Sequence, residues 1–307
     1  MEFEKLLVIT RKTRLEELIE RYNSKRQAEF YIESSGGNFS HYVAEHEKYQ
    51  EALLSVRNQA SQTELKVQFL NRTLLPSTKI NDDEVVVTLG QDGLVANTAK
   101  YTGQQPIIAL NPDPERFDGI LIPFHYSQLQ DSLKRVLAGV EDRKQITLAK
   151  VKLNDGQELV AFNDFFIGCR THVSARYSIE HDGKSENQSS SGIIVSTGAG
   201  STGWMSSIFN MASQIASFQD GYLEPPTPMS WDERRLLFAV REPFKSRHSD
   251  IDLTIGNITP SNELYIESQM PVGGRIFSDG VESDYLEFNS GRKATIGFAE
   301  HQAHLVI

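Results

Sequence analysis

Apolar and polar positions follow one rhythm in the first part of the chain and another after it. Lys5 to Thr10 (KLLVIT) reads as a buried strand. Thr13 followed by Glu16 has capping-box spacing, and Leu15, Leu18, Ile19 and Tyr22 then recur on one helical face. The pattern predicts a second helix over His41 to Arg57 and strand-like runs at Glu64 to Leu70, Glu84 to Leu89 and Pro106 to Leu110. A helix from about Gly93 to Tyr101 separates the last two. Another, Ser127 to Val140, places Leu129, Leu133, Val136, Leu137 and Val140 on one side. Strands alternating with helices predict a parallel sheet covered on both faces.

After Val140 short strands follow one another: Gln145 to Leu153, Glu158 to Gly168, Val173 to Glu180 and Gly192 to Thr197. Asn154-Asp155-Gly156 and Asp182-Gly183 are hairpin turn signals. Ser185 to Ser191 (SENQSSS) is of low complexity and reads as a mobile loop. One helix, Thr202 to Phe218, carries Trp204, Ile208, Met211 and Ile215, and a loop with Pro225, Pro226 and Pro228 follows it. Further strands are expected at Leu236 to Val240, Ile251 to Ile255, Glu263 to Ser268, Tyr285 to Phe288 and Ala294 to Phe298. The fold class expected is an α/β N-terminal domain with a mostly parallel sheet, over residues 1–140, and a mainly antiparallel, β-rich C-terminal domain, over 141–307. The extreme C-terminus is free to return to the first domain.

Composition narrows the function more than the fold. With 307 residues, 39 % hydrophobic and 23 % charged, the chain can bury a core. A net charge of −10 argues against nucleic-acid or anionic-membrane partners. One cysteine, Cys169, excludes an intrachain disulfide and a cysteine zinc cluster. His301 and His304 lack an evident third ligand and read as a solvated pair, so no protein metal site is expected. The stretch MEFEKLLVIT has acids where a signal peptide wants lysine or arginine. No segment approaches the roughly 18 apolar residues of a membrane span. A cytoplasmic protein is expected.

Three stretches interrupt the strand and helix pattern. Gly90-Gln91-Asp92-Gly93 stands between a strand and a helix. Glycines there let backbone approach phosphates, and the helix points its N–H groups at them. Asp92 either caps that helix, or takes a proton from an attacking hydroxyl, or holds a metal ion. Asn163-Asp164 breaks the apolar run VAFNDFFIG. The pair either meets a ligand or marks a bulge or strand edge. Ser196 to Trp204 (STGAGSTGW) joins a strand to a helix with small residues and hydroxyls, the makings of a loop for a polar or phosphorylated ligand.

In this order the three stretches resemble the NAD kinase family, which carries Gly-Gly-Asp-Gly-Thr, Asn-Glu and Ser-Thr-Pro-Thr-Gly-Ser-Thr-Ala-Tyr where this chain has GQDGL, ND and STGAGSTGW. ITRKTRLEELIERY, ALNPDPERFDGILIPF, SSGIIVSTGAGSTGW, LLFAVREPF and SDGVESDYLEF look closest to the divergent branch that includes the mitochondrial NAD kinases. The resemblance implies a two-domain fold with the site in the crevice between the domains. It implies transfer of the terminal phosphoryl group of ATP to the 2′-hydroxyl of the adenosine ribose of NAD, with Mg2+ or another divalent metal. By position, Asp92 matches the catalytic aspartate. Gly90 and Gly93 match the phosphate loop, Asn163 and Asp164 the pair that holds NAD, and Thr197, Ser201, Thr202 and Trp204 the NAD-binding loop. Asn111 ends the next strand, where the family also contacts nucleotide. The partners implied are small-molecule nucleotides and further copies of the chain, as a homodimer or homotetramer. Gln91 for glycine and Leu94 for threonine depart from the pattern. They leave open a non-catalytic nucleotide-binding protein on the same fold, or a kinase with another acceptor.

Overall fold

The computed structural model describes residues 3–224 and 228–307; Pro225, Pro226 and Thr227, most of the proline loop read from the sequence, lie outside them. The chain divides into one unit of residues 1–144 and 303–307 and a second of 145–302.

The first unit is α/β. Its strands are β1 (Lys5–Thr10), β2 (Lys66–Asn71), β3 (Glu84–Leu89), β4 (Pro106–Asn111) and the short β5 (Phe124–His125). They pair in parallel in the order β2, β1, β3, β4, β5. The helices are α1 (Arg14–Tyr22), α2 (Lys25–Ser34), α3 (Ser40–Ala60), α4 (Asp92–Ala99) and α5 (Leu129–Ala138). β3 and β4 are buried along their whole lengths, as befits central parallel strands covered on both faces. Val8, Val85, Val87 and Ile108 pack against Tyr49, Val56, Leu129 and Leu133 of α3 and α5. The Thr13–Glu16 capping box is formed, a feature typically contributing about 1 kcal/mol.

Local pattern misleads at the ends of these helices. Leu137 and Val140, expected on the buried face, are exposed, because α5 ends at Ala138 on a left-handed Gly139. α2 was not legible as a separate helix; it packs only its Ala28 fully, beside Leu15 and Phe39.

The second unit is a β-sandwich. Its strands are β6 (Arg143–Leu153), β7 (Glu158–Ala161), β8 (Asp164–Cys169), β9 (Ala175–His181), β10 (Lys184–Ser190), β11 (Ile193–Ser196), β12 (Leu236–Val240), β13 (Ile255–Ile258), β14 (Leu264–Ser268), β15 (Gly274–Ser278), β16 (Tyr285–Glu287) and β17 (Lys293–Val306). Its helix is α6 (Trp204–Phe218). One sheet has the order β13-β12-β11-β8-β15-β16, all antiparallel. The other runs β10-β9-β14-β17 and continues to β6 and β7. Phe165, Ile167, Val195, Phe238, Tyr177 and Ile266 fill the space between them. Phe166 and Ile194, alternating to the opposite face, are covered by Met205, Trp204 and Ile208 of α6. Covering on both faces explains why the run through 165–168 is continuously apolar. The last residues of β17 belong to the first unit, where His304 and Leu305 pair in parallel with Pro106 and Ile107.

Three expectations change here, the first being the strand expected at Ile251 to Ile255, which starts only at Ile255 as β13. Residues 185–191, read as a mobile loop, are for the most part strand β10. Gln188 is the reason: it is buried, accepts from the Tyr177 hydroxyl at 2.9 Å and donates to the Leu253 carbonyl at 2.9 Å. The expected strand 158–168 is two strands, broken at Phe162 and Asn163. That break is where the candidate site begins.

Candidate functional site

The glycine loop lies at the carboxyl end of β3. Gly90 is there for packing: a Cβ would stand 2.8 Å from the Leu94 side chain, and Leu94 is buried. Leu94 and Gly90 are therefore a matched pair. Gln91 has φ −98°, an ordinary extended conformation, so a side chain costs the loop no strain. Gly93 faces open space, with nothing within 4 Å of a notional Cβ. Asp92 opens α4, and its side chain is half-buried. Its carboxylate reaches out of the helix: Oδ2 accepts from the Ile120 amide at 3.2 Å and Oδ1 from the Leu121 amide at 3.1 Å. Two backbone donors fix it in one orientation.

Asn111, at the end of β4, is buried, and its side chain shapes the next loop. Nδ2 donates to the Phe117 carbonyl at 2.9 Å and Oδ1 accepts from the Asp113 amide at 2.9 Å. The segment 112–121 is thus pinned by Asn111 at its start and by Asp92 at its end.

In the second unit the break before β8 is held from three directions. Asp279, in the turn after β15, accepts from the Asn163 amide at 2.6 Å and the Phe162 amide at 3.2 Å. Its own amide donates to the Asp164 carbonyl at 3.0 Å. Thr197 is fully buried. Its hydroxyl donates to the Phe162 carbonyl at 2.6 Å and accepts from the Gly200 amide at 3.2 Å. Gly200 crosses directly over Asn163: a Cβ would fall 2.1 Å from the Asn163 carbonyl oxygen. Gly198 is equally constrained, 2.0 Å from the Ser230 oxygen. Ser201 closes the loop, donating to Gly198 O at 2.7 Å and accepting from the Met229 amide at 3.3 Å. Thr202 is exposed. Trp204 begins α6, stacked 5.8 Å from Phe166 with the Arg241 guanidinium 5.4 Å from its ring.

This scaffold leaves two side chains unused. Asn163 is half-buried and Asp164 is 8 % exposed, yet neither side chain has a hydrogen-bond partner among the described residues. Unpaired polar groups at such depth are costly unless a ligand meets them. Burial, and then the nearby charge of Asp279, push the Asp164 carboxyl up to about 7. The acid therefore sits near the midpoint of its titration at neutral pH.

The sequence reading singled out Asn163 and Asp164 as candidates and passed over Asp279, which bonds the backbone beside them. SDGVESDYLEF was noticed only as a likeness, and the signal available in it was an Asp-Gly turn after an apolar run. Thr197 and Asn111, expected to touch ligand, have their side-chain polar groups engaged with the loops beside them. His301 and His304 are no solvated pair: both lie in β17, His304 is buried, and burial lowers the pKa of His301. Among the described residues no group of three or more His, Cys, Asp or Glu is arranged to hold a metal ion. No helix of the described residues is long and apolar enough to cross a membrane.

The chain combines a parallel α/β unit with an acid in its glycine loop and a sandwich unit in which the half-buried Asn163 and buried Asp164 lie under a Gly-Ser-Thr loop. It is similar to the NAD kinases, in sequence and in fold. No family model matches it. It is 28 % identical to a "Probable NADH kinase" of Oryza sativa subsp. japonica, over 62 % of this chain and 61 % of that protein. It is 22 % identical to "NAD kinase 2, mitochondrial" of Homo sapiens, over 79 % of this chain and 71 % of that one. The chain thus spans less than two thirds of the rice relative. Yeast NADH kinase, solved as a complex with NADH, superposes with a TM-score of 0.63 at 14 % identity, covering 100 % of this chain and 84 % of that one. An NAD kinase from Archaeoglobus fulgidus, solved with ATP, gives 0.54 at 16 % identity, covering 98 % and 93 %. The fold is that of the NAD(H) kinases.

Proposed function

We propose that the protein transfers the terminal phosphoryl group of ATP to the 2′-hydroxyl of the adenosine ribose of NAD. The observation that carries this reading is the Asn163–Asp164 pair, two adjacent polar side chains without hydrogen-bond partners among the described residues, on a rigidly held loop. Neighbouring hydroxyls of a ribose offer donors to the Asp164 carboxylate and both donors and acceptors to the Asn163 amide. Ser201, Thr202 and Trp204 border the same loop and complete the dinucleotide contacts. Gly93, in the first turn of α4, leaves the backbone there open to phosphate oxygens, and Gly90 lets the loop close on Leu94.

Phosphoryl transfer requires positioning and charge stabilisation more than covalent help from the protein. In this reading the 2′-oxygen bonds to the terminal phosphorus, the bond from that phosphorus to the bridging oxygen breaks, and ADP leaves. Asp92, held by Ile120 and Leu121, orients the hydroxyl and receives its proton. A Mg2+ or other divalent ion bound with the donor would neutralise charge on its phosphates.

The two amides on Asp92 also favour a second reading, in which Asp92 anchors the segment 120–121 and the protein binds nucleotides without turnover. Incubating pure protein with ATP, Mg2+ and NAD and assaying NADP separates the two. NADP formation that fails in Asp92→Asn supports transfer; NAD binding with no NADP formed at any donor concentration overturns it.

The reading also takes the protein as cytoplasmic and homo-oligomeric. A half-buried free Cys169 suits a reducing compartment. Met211, Ile215 and Phe218 present an exposed apolar face on α6, of the kind a second copy covers. Light scattering on the purified chain tests the oligomer, and a monomer at micromolar concentration would remove that part.

A further inference from the structure

One end of the sandwich unit carries a cleft that nothing above uses. β8 pairs antiparallel with β15, Phe165 opposite Ser278 and Cys169 opposite Gly274. The Asn163–Asp164 pair and Asp279 therefore stand at one end of these two strands. At the other end, roughly 17 Å along β8, Cys169, Arg170, Val173, Val272, Arg275 and Tyr285 border a cleft of about 560 Å³. Backbone bonds hold its walls. The Arg170 amide donates to the Gly273 carbonyl at 2.8 Å, and the Gly274 amide donates to Oδ1 of Asn289 at 3.0 Å. Gly273 takes φ +79°, and a Cβ on Gly274 would fall 2.0 Å from the Phe288 carbonyl oxygen. The turn that carries Val272 is thus fixed by its own backbone.

The polar groups of the cleft are mostly donors. The Arg275 guanidinium lies over the Tyr285 ring, 3.7 Å from its centroid. Stacking orients the guanidinium plane and leaves the N–H groups at its edge available. Neither Arg170 nor Arg275 has a carboxylate partner among the described residues, although acids outnumber Lys and Arg in the chain by 41 to 31. Nδ2 of Asn289 and the Tyr285 hydroxyl also have no hydrogen bond among the described residues. Glu287, opposite Arg275 across β15 and β16, brings a carboxylate to the same lining. Two guanidiniums and one carboxylate leave a single positive charge. That balance suits a monoanion, whereas a phosphate carries nearer two negative charges. The remaining lining is apolar: Val173 and Val272 are 64 % and 79 % exposed. Burial pushes the Cys169 thiol up, so it stays neutral, and its Sγ donates to the Ser174 carbonyl at 3.7 Å.

We propose that this cleft binds a small apolar monocarboxylate, its charged end held by Arg170 and Arg275 and its hydrocarbon body laid against Val173 and Val272. Guanidinium forks match the two oxygens of a carboxylate. A cleft of this volume accommodates a small organic molecule. The site uses none of Asp92, Asn163 and Asp164, so it stands whether or not the protein forms NADP.

The test is titration calorimetry of the full chain with sodium octanoate, with 1-octanol and with sodium phosphate in separate runs. Octanoate is expected to saturate one site. Octanol, which lacks the charge, and phosphate, which lacks the chain, are expected to bind at least about tenfold more weakly. Arg170→Gln and Arg275→Gln are each expected to raise the octanoate dissociation constant about tenfold. Glu287→Gln is expected to tighten octanoate binding about threefold, since it removes a charge that opposes the carboxylate, and damage to the fold cannot imitate that gain. Arg170 and Glu287 are exposed, so their variants carry the test if Arg275→Gln melts early. Three results would each overturn the site. The first is no saturable octanoate binding by the wild type up to about 10 mM. The second is octanol or phosphate bound as tightly as octanoate. The third is octanoate affinity unchanged from the wild type in both Arg170→Gln and Glu287→Gln.

Discussion

The backbone amide of Asn163 donates to Oδ1 of Asp279 at 2.6 Å, across 116 positions of sequence. Asp279 takes the Phe162 amide with its other oxygen and returns its own amide to the Asp164 carbonyl. One aspartate, in a left-handed turn at φ 55°, thus sets the backbone on both sides of the Asn163–Asp164 pair. Charge-assisted bonds to N–H groups are strong, and losing the acceptor strands those donors.

Asp279→Ala should therefore damage both stability and binding. Each stranded amide costs about 1–3 kcal/mol. Melting should fall by several degrees, and the NAD dissociation constant should rise at least tenfold. Asp279→Asn, which keeps one acceptor oxygen, should recover part of each. Scanning fluorimetry and calorimetry on the two variants check this, and unchanged values for the alanine variant would contradict it.

Asp164 gives the site a pH dependence. Its folded pKa, about 7, lies above the ordinary 3.8, so the folded state holds its proton more tightly than the unfolded chain. The stabilising contribution is complete below about pH 4 and is lost as pH rises through 7, at a slope approaching 1.4 kcal/mol per pH unit between the two values. Binding should run the other way, since only the ionised carboxylate accepts from two hydroxyls. NAD affinity should tighten between pH 6 and 8 in the wild type and stay flat in Asp164→Asn. A flat wild-type profile would place the hydroxyls elsewhere.

Asp92→Asn should lower the NADP-forming rate by about 10²- to 10⁴-fold. The fold should persist, because an asparagine oxygen can still accept from one of the two amides of Ile120 and Leu121. Near-normal turnover would leave Asp92 as a loop anchor only.

Gln91→Gly should change little in rate, within about threefold. At φ −98° glutamine sits in an ordinary conformation, and glycine gains nothing there except freedom in the unfolded chain. That freedom should cost about 0.4–1 kcal/mol of stability. A large gain in NADP formation would show that the Gln91 side chain obstructs the donor.

Gly200→Ala should abolish dinucleotide binding. Its methyl group would overlap the Asn163 carbonyl at 2.1 Å, and backbone on both sides would have to move. Gly93→Ala, with open space around it in α4, is the control and should fold and melt at or slightly above the wild type. Equal NAD affinity in the Gly200 variant and the wild type would mean the loop can shift without consequence.

By itself the sequence determined most of the segments that form strands and helices, and where the chemistry-bearing loops stand between them. KLLVIT, EVVVTL and PIIAL are apolar runs of strand length, and Thr13 with Glu16 writes a helix start into adjacent residues. The GQDG, ND and STGAGSTGW stretches stood out because each breaks such a run. What local pattern could not carry was decided by contacts distant in sequence. SENQSSS looks like linker until Gln188 is buried against Tyr177 and Leu253. Nothing local in STGAG shows that the Thr197 hydroxyl bonds the Phe162 carbonyl 35 positions away. Asp279 looks like any Asp-Gly turn until it is placed beneath Asn163. Glu45 looks like a solvated helix charge until Arg11, Arg14 and Arg116, from two other segments, close around it. Propensity and periodicity act within a turn or a strand, whereas burial and pairing of polar groups depend on which segments the fold brings together.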